Sequence, residues 1–370
     1  MNYKKFLVIL FFCLGIYIFY TRGINFVPAE ELAIPSTIGF DITQEDSGEI
    51  KFSIPIAVYN FTGEATPSTL IQTGVGKTIG DTREDRQAKA DLKFILGLEK
   101  IIIWGEAAAQ YGLEPEIDIL FANPNVNDTG LNAVCKGDAM DILKSNVEGY
   151  PNPGDYLSNV IKHATEFNFF SDNYKLMDIY VRIGAEGRSL VLPYIEIKDK
   201  KPAITGIALF VKDKMVKKIG MKEAKILNLL KVDNVKGILS LGDNSKEYID
   251  YYATSKKKVK CEKVKDKYTF YIDLSLTGDI TNNNLYEDIA NNPDMAKKFE
   301  GNMNKKVEQM CYEFIDKMQN EYKIDCLGLG RVAAAKYGRH TGTDWNKAVS
   351  EADIVVKVKT KIDRFGRGDY

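Results

Sequence analysis

Hydrophobic and polar positions divide the chain into a short apolar leader and a long series of strand-like and helix-like segments. Residues 6–20 carry no charge, and Lys4 and Lys5 precede them. A basic start followed by an apolar core is the pattern of an export segment, oriented by the positive-inside rule. As a helix this run spans roughly 22 Å, short of the ~30 Å hydrocarbon core of a bilayer. Snorkelling by Lys4, Lys5 and Arg22 can close the gap. Residues 1–23 are therefore expected to form a signal/anchor segment. Thr21-Arg22-Gly23 offers a weak cleavage site. Cys13 is a poor lipid acceptor, because Phe11 and Phe12 precede it and the apolar run continues beyond it. An uncleaved anchor is the preferred reading.

Behind the leader, alternation and turn residues predict strands over residues 33–43 and 50–61, the second with Phe52, Ile54, Ile56 and Val58 on one buried face. Residues 62–80 are rich in Ser, Thr and Gly and read as loop. Residues 82–98 read as a charged helix, 100–104 as a buried strand, 105–111 as a short helix ending at Gly112, 117–122 and 131–135 as strands, and 137–144 as a helix. A helix over 155–165, a connector over 167–176 and strands over 177–182 and 189–197 follow. Asp199-Lys200-Lys201-Pro202 breaks the pattern and is taken as the main domain boundary.

The second half opens with a hairpin, 203–211 and 215–219, turned by Lys212-Asp213-Lys214, then a helix over 222–230 and strands over 237–241, 248–258 and 268–276. In the last strand Tyr268, Phe270, Ile272, Leu274 and Leu276 should meet a core. Residues 292–322 give the longest helix, with Asn292 suited to the N-cap and Pro293 to the first helical position. Phe299, Met303, Val307, Met310, Phe314, Ile315 and Met318 recur at helical spacing, so they predict one core-facing stripe. A helix over 326–337 and a strand over 353–362 complete the pattern, the strand with Lys357, Lys359 and Lys361 opposite its apolar side. The expected class is α+β: three mixed α/β domains behind the anchor. These are an N-terminal α/β domain over 24–200, a middle mixed subdomain over 201–290 and a C-terminal helix–strand subdomain over 291–370.

Composition narrows the function. Lys plus Arg is 50 against 51 for Asp plus Glu, and this balance lacks the excess positive charge of a bulk nucleic-acid binder. The only histidines, His163 and His340, argue against His-based hydrolysis, zinc chemistry or a proton relay. Cys135, Cys261, Cys311 and Cys326 could form two disulfides in an oxidising compartment, but none lies in a CxxC pair, and Cys311 on an apolar helix face reads as a buried thiol. Gly76-Lys77-Thr78 looks like the end of a phosphate loop. The first glycine of that pattern is replaced by Ile71, and no hydrophobic strand runs into the loop, so its reading is structural. Gly328-Leu329-Gly330 lacks the third glycine of a dinucleotide signature.

Glu116 with Asp118, two apart on a strand, and Asp178 with Glu186 invite a glycosidase reading, although exposed carboxylates on a strand face are the commoner case. His340 beside Thr341, Thr343 and Asp344 has no nucleophile elbow. The triplets at Asn60 and Asn127 match a glycosylation acceptor and are discounted. No catalytic, cofactor-binding or metal-binding residue is assigned.

Several ordered segments resemble one family. Glu30-Glu31-Leu32-Ala33-Ile34 with Gly39-Phe40-Asp41, Ile101-Ile102-Ile103-Trp104-Gly105-Glu106 and Lys136-Gly137-Asp138-Ala139-Met140-Asp141 stand in the first half. Gly206-Ile207-Ala208-Leu209-Phe210, Asp325-Cys326-Leu327-Gly328-Leu329-Gly330, Trp345 and Val356-Lys357-Val358 stand in the second. In this order they resemble the Ger(x)C family, the C subunits of spore germinant receptors. The resemblance implies a three-domain mixed α/β protein on the outer face of the spore inner membrane, assembled with integral-membrane partner subunits in a complex that senses small nutrients, such as amino acids, and triggers germination. It implies no catalytic residue and no cofactor. Family members are usually lipid-anchored at a cysteine followed by a Trp-Asp-Arg-type segment. Here Phe12 precedes Cys13 and Val27-Pro28-Ala29 stands in that segment's place, so the helix itself is expected to hold the membrane. An exported cell-wall hydrolase using a carboxylate pair and a solute-binding protein are the alternatives.

Overall fold

Apolar runs of two kinds build two sheets of different character. The computed structural model describes residues 3–21, 28, 31–44, 48–60, 68–242 and 244–366. Helix α1 (Tyr3–Thr21) has 19 residues, none buried. At 1.5 Å per residue it is about 28 Å long, enough to cross most of a hydrocarbon core. It adds Tyr3, Lys4, Lys5 and Thr21 to the uncharged run, and it is the one helix long and apolar enough to span a membrane among the described residues. The proposed cleavage residues Arg22 and Gly23, and Phe61 and Thr62 of the first glycosylation triplet, lie outside the described residues.

The first sheet is laid down by β1 (Leu32–Gln44), β2 (Ile50–Asn60), β3 (Ser68–Gly76), α2 (Ile79–Gln87), β4 (Lys93–Phe94), β5 (Ile101–Gly105), α3 (Glu106–Tyr111), α4 (Glu114–Phe121), β6 (Leu131–Cys135), α5 (Ala139–Lys144), α6 (Pro153–Phe167), α7 (Leu176–Gly184), β7 (Val191–Lys198), β8 (Lys201–Val211) and β9 (Lys214–Gly220). Its order is β3-β2-β1-β5-β6-β7-β8-β9, with β4 added beside β1. The centre, β1-β5-β6-β7, is parallel, and antiparallel hairpins flank it on both sides. Parallel strands are covered on both faces and so read as continuous apolar runs. Ile101, Ile102, Ile103 and Trp104 are all buried, and Trp104 stacks on Phe40 at 4.7 Å.

The second sheet follows from α8 (Met221–Lys231), β10 (Lys236–Gly242), β11 (Tyr248–Val264), β12 (Lys267–Asn283), α9 (Pro293–Asp316), α10 (Leu329–Tyr337), α11 (Trp345–Ser350) and β13 (Asp353–Arg364). Its order is β10-β11-β12-β13, the last pair parallel. Here the two-residue alternation is plain. Tyr268, Phe270, Ile272, Leu274 and Leu276 are buried, as are Phe299, Met303, Val307, Phe314 and Ile315 on α9 and Met318 just beyond it, while Met310 is half-buried. Asn292 caps α9 by accepting from the Asp294 and Met295 amides. The helix runs on through a π-helical turn, Lys317–Tyr322, and stops where Lys323 takes a left-handed φ of 54°.

Several elements differ from the sequence reading. Residues 117–122, read as a strand, are the end of α4 and its C-cap Ala122, because Leu113, Ile117 and Leu120 bury one side at helical steps. Residues 177–182, also read as a strand, belong to α7, which buries Leu176 and Ile179. The charged helix stops at Gln87, since beyond Thr82 it has no apolar stripe to bury, and burial is what stabilises short helices. The stretch read as loop holds β3, an edge strand fixed by pairing with β2 from Asn60↔Ser68 to Phe52↔Gly76. Strand β2 is buried on both faces from Ile54 to Val58, not on one. Helix α11, capped by Asp344, was not anticipated. At the break read over 199–202, Asp199 and Lys200 form a hairpin turn with left-handed φ of 49° and 67°, and β8 and β9 continue the first sheet.

Candidate functional site: a cationic cleft between the two sheets

Helix α8 is the joint. It packs on β8 and β9 of the first sheet and against α9 and β12 of the second. Near its start, Glu223 accepts from Lys317 Nζ at 2.7 Å and from the Tyr322 hydroxyl at 3.0 Å. At its end Lys231 donates to the Ser189 carbonyl at 3.2 Å, the Ser189 hydroxyl at 2.8 Å and the Cys326 carbonyl at 2.7 Å. One ammonium thus ties the loop before β7 to the approach to α10. A second tie is backbone only. Gly187, with φ of 65°, accepts from the Arg331 amide at 2.9 Å, and a Cβ there would sit 2.4 Å from the same nitrogen. Only glycine allows that approach in that conformation.

Beside these ties lies a cavity of about 320 Å³ lined by Asn173, Arg182, Arg188, Lys231, Lys257 and Arg331, with Asp233 at one side. Beneath it Asp325 is buried, and its carboxylate accepts from the Leu329 amide at 2.9 Å and the Gly330 amide at 2.7 Å. The start of α10 is therefore capped from within the chain. Burial, reinforced by Arg182, pushes the Lys231 ammonium down to about 7. Burial, with Arg331 adding to it against the pull of Asp233, pushes Lys257 down to about 8. The cleft gathers charge but no nucleophile. The nearest thiol, Cys326, is pushed up to about 12 by burial and is unreactive there.

The residues weighed from sequence go elsewhere. A strand does run into Gly76-Lys77-Thr78, contrary to the sequence reading, but it passes almost directly into α2. The Thr78 side chain caps the Asp81 amide, Asp81 accepts from the Thr78 amide at 3.0 Å and Asp85 from the Val75 amide at 2.9 Å. Carboxylates thus hold amides that a phosphate loop would turn to its ligand. A Cβ on Gly74 would meet the Thr82 carbonyl at 1.8 Å, so that glycine serves close packing of α2. Lys77 is exposed and lies 2.7 Å from Glu49. Lys77→Ala should cost less than about 1 kcal/mol, as for other surface ion pairs, and calorimetry should detect neither ATP nor GTP binding. Saturable nucleotide binding that the variant loses would refute the structural reading.

On α4, Glu116 is buried and Asp118 exposed, so the strand-face pairing does not form. Glu186 accepts from the Trp345 indole at 3.0 Å and the His340 amide at 2.7 Å, and Asp178 accepts from the Lys175 amide at 3.2 Å. Each of these two acids has a structural task. His163 and His340 are exposed. Cys135, Cys261, Cys311 and Cys326 are buried free thiols. Among the described residues no three His, Cys, Asp or Glu side chains cluster as metal ligands. The outer face of the second sheet carries exposed Lys256, Lys258 and Lys260 on β11 and Lys357, Lys359 and Lys361 on β13, flanking Asp273 on β12. The cationic cleft was missed from sequence because its charges come from five separate segments and form no local motif.

Comparison with known proteins gives consistent results over both halves. The family described as "Spore germination protein N-terminal domain" matches residues 25–197, and that described as "Spore germination B3/ GerAC like, C-terminal" matches residues 205–366. The chain is 24% identical to the Bacillus cereus spore germination protein GerQC over 87% of this chain and 89% of that one. It is 21% identical to spore germination protein B3 of Bacillus subtilis over 81% and 82%. The crystal structure of the GerBC protein superposes with a TM-score of 0.52 at 16% identity, covering 88% of this chain and 97% of that one, which shows a shared fold.

Proposed function

The chain belongs to the GerAC-like family of spore germination proteins, and on that premise we propose that it is the C-type subunit of a germinant receptor, held at the outer face of the spore inner membrane by α1. In this reading it assembles with integral-membrane partner subunits that help to trigger germination, and it is not itself an enzyme. The observation that carries the reading is the match of both family halves, in order, directly behind an exposed 19-residue apolar helix. The acids that suggested a hydrolase support this rather than oppose it, since Glu116 and Asp118 do not share a face and Asp178 and Glu186 hold backbone and indole groups.

A tagged chain purified from detergent-solubilised spore inner membranes should bring multi-span membrane subunits with it, and its deletion should abolish the response to at least one nutrient. Recovery of the chain alone, with germination unchanged, would overturn the proposal. Anchoring has its own test. Cys13 lies exposed in the middle of α1, so Cys13→Ala should stay in the membrane fraction. Release of the variant into the soluble fraction, or fatty-acid labelling of the wild type, would show that a lipid does the work instead.

A further inference from the structure

The cleft between the sheets holds more positive charge than its own carboxylates neutralise. Arg182, Arg188, Lys231, Lys257 and Arg331 line it. Three acids lie nearby. Asp178 stands 3.8 Å from Arg182, Asp233 is exposed at the rim, and Asp325 is buried with both oxygens already accepting from the start of α10. The cations outnumber the acids even where Lys231, pushed down to about 7, has lost its proton. The cations also divide by freedom. Arg182 donates to the Asn173 carbonyl, and Lys231 places all three of its hydrogens on Ser189 and Cys326, so neither can turn away. Among the described residues the side chains of Arg188, Lys257 and Arg331 make no hydrogen bond and no ion pair. Their donors remain available on the wall of the cavity.

Burial is the main cause that pushes the Lys231 and Lys257 ammonium groups down, and the neighbouring Arg182 and Arg331 add to it. The cavity, at about 320 Å³, falls in the size range of small-molecule sites. Guanidinium forks favour planar or tetrahedral oxyanions through paired hydrogen bonds.

We propose that this cleft binds a small ligand bearing a doubly charged oxyanion, a phosphate monoester or a dicarboxylate, with Arg188, Lys257 and Arg331 as its donors and Arg182 and Lys231 as fixed charge behind them. Because the ties around the cleft join α8, the loop before β7 and the start of α10, an anion held there would brace the two sheets against each other. The proposal stands on side chains of this chain and is separate from the receptor reading. Its failure would leave co-purification and nutrient response untouched.

The test is calorimetric titration of the full chain in detergent at low salt with inorganic phosphate, phenyl phosphate and malonate. Phosphate or phosphate monoester binding with no malonate binding would identify one source of the oxyanion, and the reverse the other; either supports the site. Arg188→Gln and Arg331→Gln remove exposed side chains without structural bonds, so both should fold, with unchanged circular dichroism. Each should weaken binding about ten- to hundredfold, as expected for loss of a charge-assisted hydrogen bond. Lys359→Gln, on the outer face of the second sheet, should leave affinity unchanged. No binding of any probe at millimolar concentration would overturn the proposal, and so would equal binding by wild type and the Arg188→Gln/Arg331→Gln double variant.

Discussion

Replacing Phe299 with alanine should destabilise the protein by about 3–5 kcal/mol, the usual cost of deleting a fully buried aromatic ring. Phe299 is 0% exposed and is the first buried residue of the apolar stripe of α9. Its ring meets Tyr251 of β11 edge-on at 5.6 Å and Tyr286 at 5.8 Å, so it joins the helix to the sheet and to the connection between β12 and α9. No nearby element can collapse into the space, because β11 and β12 are fixed by sixteen paired positions. Against a total stability of roughly 5–15 kcal/mol for a domain, this is a large share. The melting temperature should fall by roughly 10 °C, taking about 2–4 °C per kcal/mol. Phe314→Ala, at 2% exposure on the same stripe, should behave alike. If the stripe instead served a partner, melting of the isolated protein would not change while co-purification with membrane subunits was lost. Both measurements on one variant separate the two cases.

What the sequence shows clearly is set by how each element is buried. The second sheet has one wet face and one dry face, so β12 and β13 alternate visibly, and α9 shows a stripe at helical spacing with Asn292 and Pro293 marking its start. The central strands of the first sheet are dry on both faces, and Ile101-Ile102-Ile103-Trp104 reads as a strand for that reason. Short helices were the weak point. In α4 and α7 only two apolar residues each are buried, Ile117 and Leu120 and Leu176 and Ile179, and a window of six residues around Ile117 or Ile179 fits either period. Strand β3 was hidden because its stability comes from β2, not from its own residues. The cleft was hidden for a stronger reason. Arg182 and Arg331 are far apart in the chain, and only the packing of α8 between two sheets brings their segments together. The family resemblance is legible because its segments follow one another in order along the chain, from Glu30-Glu31-Leu32 to Val356-Lys357-Val358. Asp41 shows why such residues matter, since its buried carboxylate accepts from the Ala139 and Met140 amides at the start of α5.

Glu116 gives the second large effect, and it depends on pH. The side chain is 1% exposed in the first turn of α4, and its Oε2 has no hydrogen-bond partner. Burial, with a smaller push from Asp213, raises its carboxyl from 4.5 to about 7. Between these values the folded protein binds more protons than the unfolded chain, so stability falls as pH rises from about 4.5 to about 7 and is flat above. At about 1.4 kcal/mol per unit the loss is on the order of 3 kcal/mol. Asp41, raised by burial to about 6, acts in the same direction but is finished by that pH. Glu196, held down to about 2 by Lys218 and Lys198, contributes nothing in this window. Lys231, depressed to about 7, acts with the opposite sign and only above pH 7, where the unfolded chain holds the extra proton. Asp325, also raised by burial, acts with the same sign as Glu116, so the share of Glu116 between pH 6 and pH 7 is the difference between wild type and a Glu116 variant. Glutamine is nearly isosteric with a protonated glutamate, so Glu116→Gln should match the wild type near pH 5 and exceed it by on the order of 3 kcal/mol near pH 7.5. Urea unfolding at closely spaced pH values reads this directly: the wild-type curve should slope downward from pH 6 to pH 7 more steeply than the variant's. Parallel curves would mean that Glu116 ionises freely in the folded protein, and that water or a shift of α4 reaches its carboxylate.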